Sequence, residues 1–323
     1  MIDADERASM HDAARAAIAA AQASHGADVD AALAKLGWRE MLAEQPGDAI
    51  AVVFGALGAT NAMATALDDV LLSALGREPS DGLAVLLPRF AGWDPPGRIE
   101  AGELHARSLA TSRAATAGEM LVVCGSASEP WIIAIPARSA ELCAVQGIDP
   151  AAGLRSVRAQ GRAAGATRLD PAAWQSALAL GRRAVAHQIA GAGRVMLDLA
   201  CAHAKTRLQF GRPIAGFQAV RHRLADALVA VEALEAALAA AREEPNSDTA
   251  ALAKAVAGRA ARTVGAHCQQ VLAGIGFTTE HPFHRFLKRT LLLEGLFGSA
   301  DEIAVDVGRR LLATRRVPTL IEL

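Results

Sequence analysis

Two stretches of this chain place polar, cationic and glycine residues at breaks between apolar helical runs. The first is Asp198-Leu-Ala-Cys-Ala-His-Ala-Lys-Thr-Arg-Leu-Gln-Phe-Gly-Arg-Pro-Ile-Ala-Gly-Phe-Gln-Ala-Val-Arg-His-Arg-Leu-Ala-Asp226. A long helix carrying Arg207 and Phe210 is predicted to end at Gly211, Pro213 stops it, and a second helix starts near Phe217-Gln218. The second stretch runs Gln269-Gln270-Val271-Leu272-Ala273-Gly274-Ile275-Gly276-Phe277-Thr278-Thr279-Glu280-His281-Pro282, with Arg285-Phe286-Leu287-Lys288 behind it. Guanidinium groups bind anions and amides donate neutral hydrogen bonds. Taken one at a time, however, Arg207 reads as a solvated helix-end arginine and Gln218 as an ordinary surface residue.

Other chemistries find less support. His281 and His284, with His267 upstream, have a His-x-x-His spacing interrupted by proline and no nearby carboxylate pair, which is poor metal-ligand geometry. The four cysteines, Cys124, Cys143, Cys201 and Cys268, are widely spaced without a CxxC pair, so neither a disulfide framework nor a zinc site is expected. Val52-Val53-Phe54-Gly55-Ala56-Leu57-Gly58 superficially resembles a strand entering a nucleotide loop. It lacks the full GxGxxG and lies in an Ala-rich run, so helix packing is expected there. No GxSxG, P-loop or Ser/His/Asp set is present.

The elements that must position these residues follow from patterning. Hydrophobic residues make up 52% of 323 residues, and 33 basic side chains nearly balance 34 acidic ones. Such a chain can bury a large core and has no net electrostatic pull toward nucleic acid or an anionic membrane. From Asp3 to about Arg77, Ala and Leu recur at helical spacing and predict several helices, the later ones well buried. Seven prolines between Glu78 and Asp170 break up helices, and Met120–Cys124 and Trp131–Ile135 are predicted strands around a turn-like Gly125–Pro130. After Asp170-Pro171 the helical pattern returns, broken at 211–213, 244–247 and 274–282, with Asn246 a candidate N-cap. Periodicity alone therefore predicts an α-rich protein with a few strands, in the order α, β, α. The acidic N-terminus lacks a signal-peptide pattern and no long uncharged apolar window occurs, so a cytoplasmic protein without a membrane span is expected.

The two stretches together resemble the acyl-CoA dehydrogenase family. Its C-terminal domain carries an Arg-x-x-Phe-Gly-x-Pro-Ile-x-x-Phe-Gln-x-x-x-x-x-Leu-Ala-Asp signature and a Gln-Val-x-Gly-Gly-Ile-Gly-Phe-Thr-x-Glu-His-Pro segment trailed by Arg-Tyr-Leu-Arg. The resemblance is strong from about Leu178 to Leu312 and weak upstream. It implies an N-terminal helical domain (1–105), a small, reduced β middle domain (106–170) and a C-terminal four-helix bundle (171–323). It further implies FAD lying between subunits, with Arg207, Phe210, Gln218, Gln270 and Gly274 contacting its pyrophosphate and adenine end.

The family removes a proton α to a thioester while hydride leaves the β carbon for the flavin, which requires a carboxylate base. Ungapped counting from Arg285 places Phe297 at the usual base position, and phenylalanine accepts no proton. Glu294-Gly295 is an alternative if three residues have been lost. The family's other base location, early in the first long helix of the C-terminal domain, holds no acid between Pro171 and Asp198. The middle region also lacks the Thr-Glu-Pro-x-Ala-Gly-Ser and Trp-Ile-Ser/Thr segments, and Trp131-Ile132-Ile133 reads as strand core. The chain thus resembles the shortened subunit of heteromeric (α2β2) steroid-type acyl-CoA dehydrogenases, in which a related chain carries the base. That resemblance implies a partner subunit in a heterotetramer, an acyl-CoA substrate and electron-transfer flavoprotein as acceptor. The alternatives are a self-sufficient homo-oligomer with Glu294 as base, and a flavin-free scaffold.

Overall fold

The computed structural model describes residues 4–24 and 28–315. Five helices open the chain: α1 (Ala4–Ala23), α2 (Val29–Lys35), α3 (Trp38–Glu44), α4 (Pro46–Thr60) and α5 (Ala66–Ala74). Pro46 sits at the first position of α4, where its missing N–H costs nothing. The Val52–Gly58 run lies inside this helix, and its glycines serve helix crossing. A Cβ at Gly58 would fall 2.1 Å from the Gln188 carbonyl oxygen, so the two helix backbones touch.

Eight strands follow: β1 (Leu83–Val85), β2 (Gly97–Glu100), β3 (Glu103–Ala110), β4 (Glu119–Gly125), β5 (Pro130–Pro136), β6 (Ala140–Ala144), β7 (Arg155–Arg162) and β8 (Thr167–Arg168). They form one sheet in the order β6-β7-β3-β2-β4-β5-β8, with β1 parallel to β4. The expected hairpin is present, pairing Met120 with Ile135 and Val122 with Ile133. Two strands, β1 and β2, lie beyond the expected helices, which reach about Arg77, but within the expected N-terminal helical domain (1–105). They are three and four residues long between prolines, too short for their alternation to register.

One face of the sheet (Val85, Leu121, Val123, Ile132) joins the helices in a common core, and the other (Leu86, Met120, Val122, Ile133, Ile135) closes a smaller one. A buried polar strut ties sheet to helices. The Asp69 carboxylate accepts from Arg113 Nη1 at 2.6 Å and from Trp38 Nε1 at 3.0 Å, while Asp68 accepts from the Val85 N–H at 2.8 Å. Burial raises the Asp68 carboxyl to about 6 against the opposing pull of Arg113.

The second half is α6 (Pro171–Thr206), a two-strand ribbon of β9 (Leu208–Gln209) and β10 (Arg212–Pro213), then α7 (Gln218–Glu243), α8 (Ser247–Leu272), α9 (Phe283–Glu294) and α10 (Ala300–Thr314). Asp170 caps α6, Asn246 makes a capping box with Thr249 on α8, and Ser299 makes one with Glu302 on α10. The four cysteines are free thiols, and no group of metal-ligating side chains gathers among the described residues. No described helix is long and apolar enough to cross a membrane.

Candidate functional site

Arg207 and Phe210 do not ride on a helix. α6 ends at Thr206, Arg207 is its extended C-cap, and the chain reverses in a tight hairpin closed by the Ile214 N–H on the Arg207 carbonyl at 2.8 Å. Phe210 and Gly211 both take positive φ, +51° and +78°, the backbone of a two-residue hairpin turn. The turn pushes Phe210 into solvent, where it is 91% exposed and meets only the edge of Phe217, with ring centroids 6.0 Å apart. Arg212 lies over Phe217 at 4.3 Å.

This hairpin faces the end of α8. Between them is a cleft of ≈ 640 Å³ lined by Arg207, Phe210, Gln270 and Gly274, together with His203 and Arg223. Four of the five residues singled out in sequence thus meet in one cleft. The fifth, Gln218, is the first residue of α7 beside it and is not part of the lining. Among the described residues no acid lines the cleft, and its charged side chains are Arg207 and Arg223. Desolvation, then His281 and Arg207, hold the His203 imidazole below its usual range. A Cβ built on Gly274 meets nothing within 4 Å, so the backbone there faces open space. Ala273 before it has φ +50°, ψ −135°, a conformation suited to glycine. Arg223 is the residue sequence reading missed. It sits in an exposed Arg-His-Arg run, and the pattern does not identify which member borders the cleft.

The positions weighed as catalytic lie elsewhere, at the turn between α9 and α10. Phe297 is buried, 2% exposed, with its ring against Gly181, where a Cβ would fall 2.8 Å from the phenyl carbons. Its φ is +59°, and its carbonyl accepts from Arg182 Nε at 3.1 Å. Glu294 ends α9 with its carboxylate committed: Oε1 accepts from the Ala300 N–H at 2.9 Å and from Arg262 Nη1 at 3.3 Å. Asp301 and Glu302 are first-turn acids of α10. The turn is clamped from beneath by Lys254, fully buried, whose Nζ donates to the Glu294 carbonyl at 2.6 Å and the Gly298 carbonyl at 2.7 Å. Burial brings this ammonium down to about 7.

This arrangement can hold an anion flanked by an aromatic surface at the hairpin cleft, and it offers no free carboxylate at the α9–α10 turn. Residues 172–312 match the acyl-CoA dehydrogenase C-terminal domain. Acyl-CoA dehydrogenase IpdE2 of Mycobacterium tuberculosis is 42% identical over 99 residues, which are 31% of this chain and 31% of that protein. The chain thus matches about a third or less of the length of such curated relatives. Two solved structures share the fold nearly end to end. The ChsE4-ChsE5 complex from Mycobacterium tuberculosis has a TM-score of 0.75 at 22% identity, covering 98% of this chain and 99% of that one. The Tcur3481-Tcur3483 steroid ACAD G363A variant has a TM-score of 0.79 at 21% identity, covering 96% and 99%. Residues 172–312 thus carry the likeness of an acyl-CoA dehydrogenase C-terminal domain, the domain of a family whose members are FAD-dependent.

Proposed function

We propose that the chain is a subunit of an FAD-dependent acyl-CoA dehydrogenase of the steroid type, completing a partner's FAD site and leaving the base to that partner. The observation that carries this reading is a contrast within one domain. The hairpin cleft is open, cationic and exposed, while the base position is filled by the buried ring of Phe297. Arg207 and Arg223 would hold the pyrophosphate by charge-assisted bonds, Phe210 would pack against the adenine end, and Gln270 would donate a neutral bond. Gly274 would let the dinucleotide approach the backbone, and Gln218 would contribute from the start of α7. Bound flavin supplies the hydride acceptor for α,β-dehydrogenation of an acyl-CoA thioester.

The committed carboxylate of Glu294 supports placing the base on a related subunit in an α2β2 heterotetramer. The likeness to a steroid ACAD supports a bulky, steroid-side-chain acyl-CoA as substrate. Electron-transfer flavoprotein would take the electrons onward. The test is the visible absorbance of the chain purified alone and co-purified with a related dehydrogenase subunit. Flavin bands only in the complex are expected. Flavin bands in the chain alone, bleached by an acyl-CoA, would overturn the heteromeric reading and return the base to this chain. A complex without flavin would leave it a scaffold.

A further inference from the structure

At the opposite end of α6 lies a second cleft, ≈ 770 Å³, formed where the first turns of α4, α6 and α8 meet the last turn of α7. Arg183 and Arg207 are 24 positions apart along this axis, about 36 Å at helical rise, so the two clefts are separate. Arg183 lines the second cleft and is 3% exposed, yet its Nε and Nη2 have no hydrogen-bond partner among the described residues. Arg242 also lines it, with an equally unpartnered Nε. Asp48 is the one acid of the lining. Arg7 holds it at 2.9 Å, and it stands 4.0 Å from Arg242.

Two guanidiniums therefore face a cleft whose single carboxylate is already engaged. The setting makes this costlier still. Arg183 Nη2 lies 3.1 Å from the Cβ position of Gly47 in the first turn of α4, a 15-residue helix with no side-chain cap, so a cation sits against the positive end of a helix dipole. An anion bound in the cleft beside the guanidinium and that helix end would be attracted by both. Burial and Arg242 already press the Arg183 guanidinium below its ordinary range. The remaining walls, Ala172, Ala179 and Leu180 among them, are apolar.

We propose that this cleft is a binding site for a small phosphate-bearing molecule, its phosphate held by Arg183 and Arg242 against the first turn of α4 and its remainder packed on the apolar wall. A dianion matches the two guanidiniums, and a volume of this size admits a metabolite rather than a bare ion.

Inorganic phosphate tests the anion subsite directly. Thermal unfolding of the purified protein, alone or in its complex, is followed against phosphate at constant ionic strength, with chloride and acetate as controls. A saturable rise in Tm with phosphate is expected, absent with chloride and weaker with acetate, with its midpoint moved up by about tenfold or more in Arg183→Gln. Arg207→Ala serves as a check and keeps the Arg183-dependent response. Equal midpoints in wild type and Arg183→Gln, or no response beyond chloride, would overturn the site. Acetate acting as well as phosphate would overturn the phosphate assignment. If Arg183→Gln does not fold, Arg242→Gln carries the same expectation, and an unchanged midpoint there refutes it.

Discussion

Lys254 offers a perturbation whose size can be worked out in advance. Its ammonium is fully buried on α8 and clamps the Glu294 and Gly298 carbonyls, fixing the turn that carries Phe297. A lysine ordinarily at 10.5 that titrates at about 7 has, when charged, a burial penalty of about 5 kcal/mol relative to its neutral amine. Between those two values the unfolded chain binds the proton and the native chain does not, so this group makes stability rise with pH across the window. From pH 6 to pH 9 the gain is about 3 kcal/mol. Lys254→Met removes the titration and leaves two carbonyls unpaired, a pH-independent loss of about 1–3 kcal/mol each. Urea unfolding of both proteins between pH 6 and pH 9 isolates the effect, because every other group titrates in both. The wild-type advantage should grow by about 3 kcal/mol over that range. An advantage constant to within about 0.5 kcal/mol would refute the argument that Lys254 is buried as an ammonium without full compensation.

Three further outcomes follow from the packing and the caps. Ala273→Gly relieves a backbone conformation alanine tolerates poorly and should stabilise the chain by about 1 kcal/mol, seen as a higher urea midpoint. Gly191→Ala would place a Cβ 2.2 Å from the Gly55 carbonyl oxygen and force α4 and α6 apart, lowering stability by about 3 kcal/mol in the same assay. Glu294→Gln weakens the cap on α10 and should cost about 1 kcal/mol of stability, with the dehydrogenation rate of the assembled complex kept within about twofold. A rate collapse there would restore Glu294 as a base.

What the sequence made legible was set by how local the signals are. The β4–β5 hairpin announced itself through a dense apolar run on each side of a Gly–Pro turn, and the cap at Asn246 through its own side chain. The hairpin under Arg207 was hidden, because a Phe-Gly pair at positive φ is not the Asn-Gly signal such turns usually show. Its conformation depends on where α6 ends and on the contact of Phe210 with Phe217 seven residues later, which a dipeptide turn signal does not carry. β1 and β2 are recruited by pairing with strands that follow them in the chain, so short runs near prolines gave little warning. Lys254 was visible in principle. It shares the spacing of Ala250, Ala257 and Ala261, all buried, and a lysine on that stripe marks a buried cation. Arg183 and Arg223 gave no such sign, since each lies in an arginine-rich stretch of a helix, Arg182-Arg183 and Arg221-His222-Arg223, and only the packed helices decide which of these side chains line a cleft.

The central claim is that this chain completes an FAD site through the hairpin cleft. Its most direct test is the flavin content of the complex co-purified with a related dehydrogenase subunit, measured by visible absorbance for wild type and Arg207→Ala. Losing one charge-assisted phosphate contact, about 1.5–3 kcal/mol, should weaken FAD binding by roughly ten- to a hundredfold and leave the variant complex assembled but largely colourless after desalting. An assembled Arg207→Ala complex with full flavin content would contradict the account.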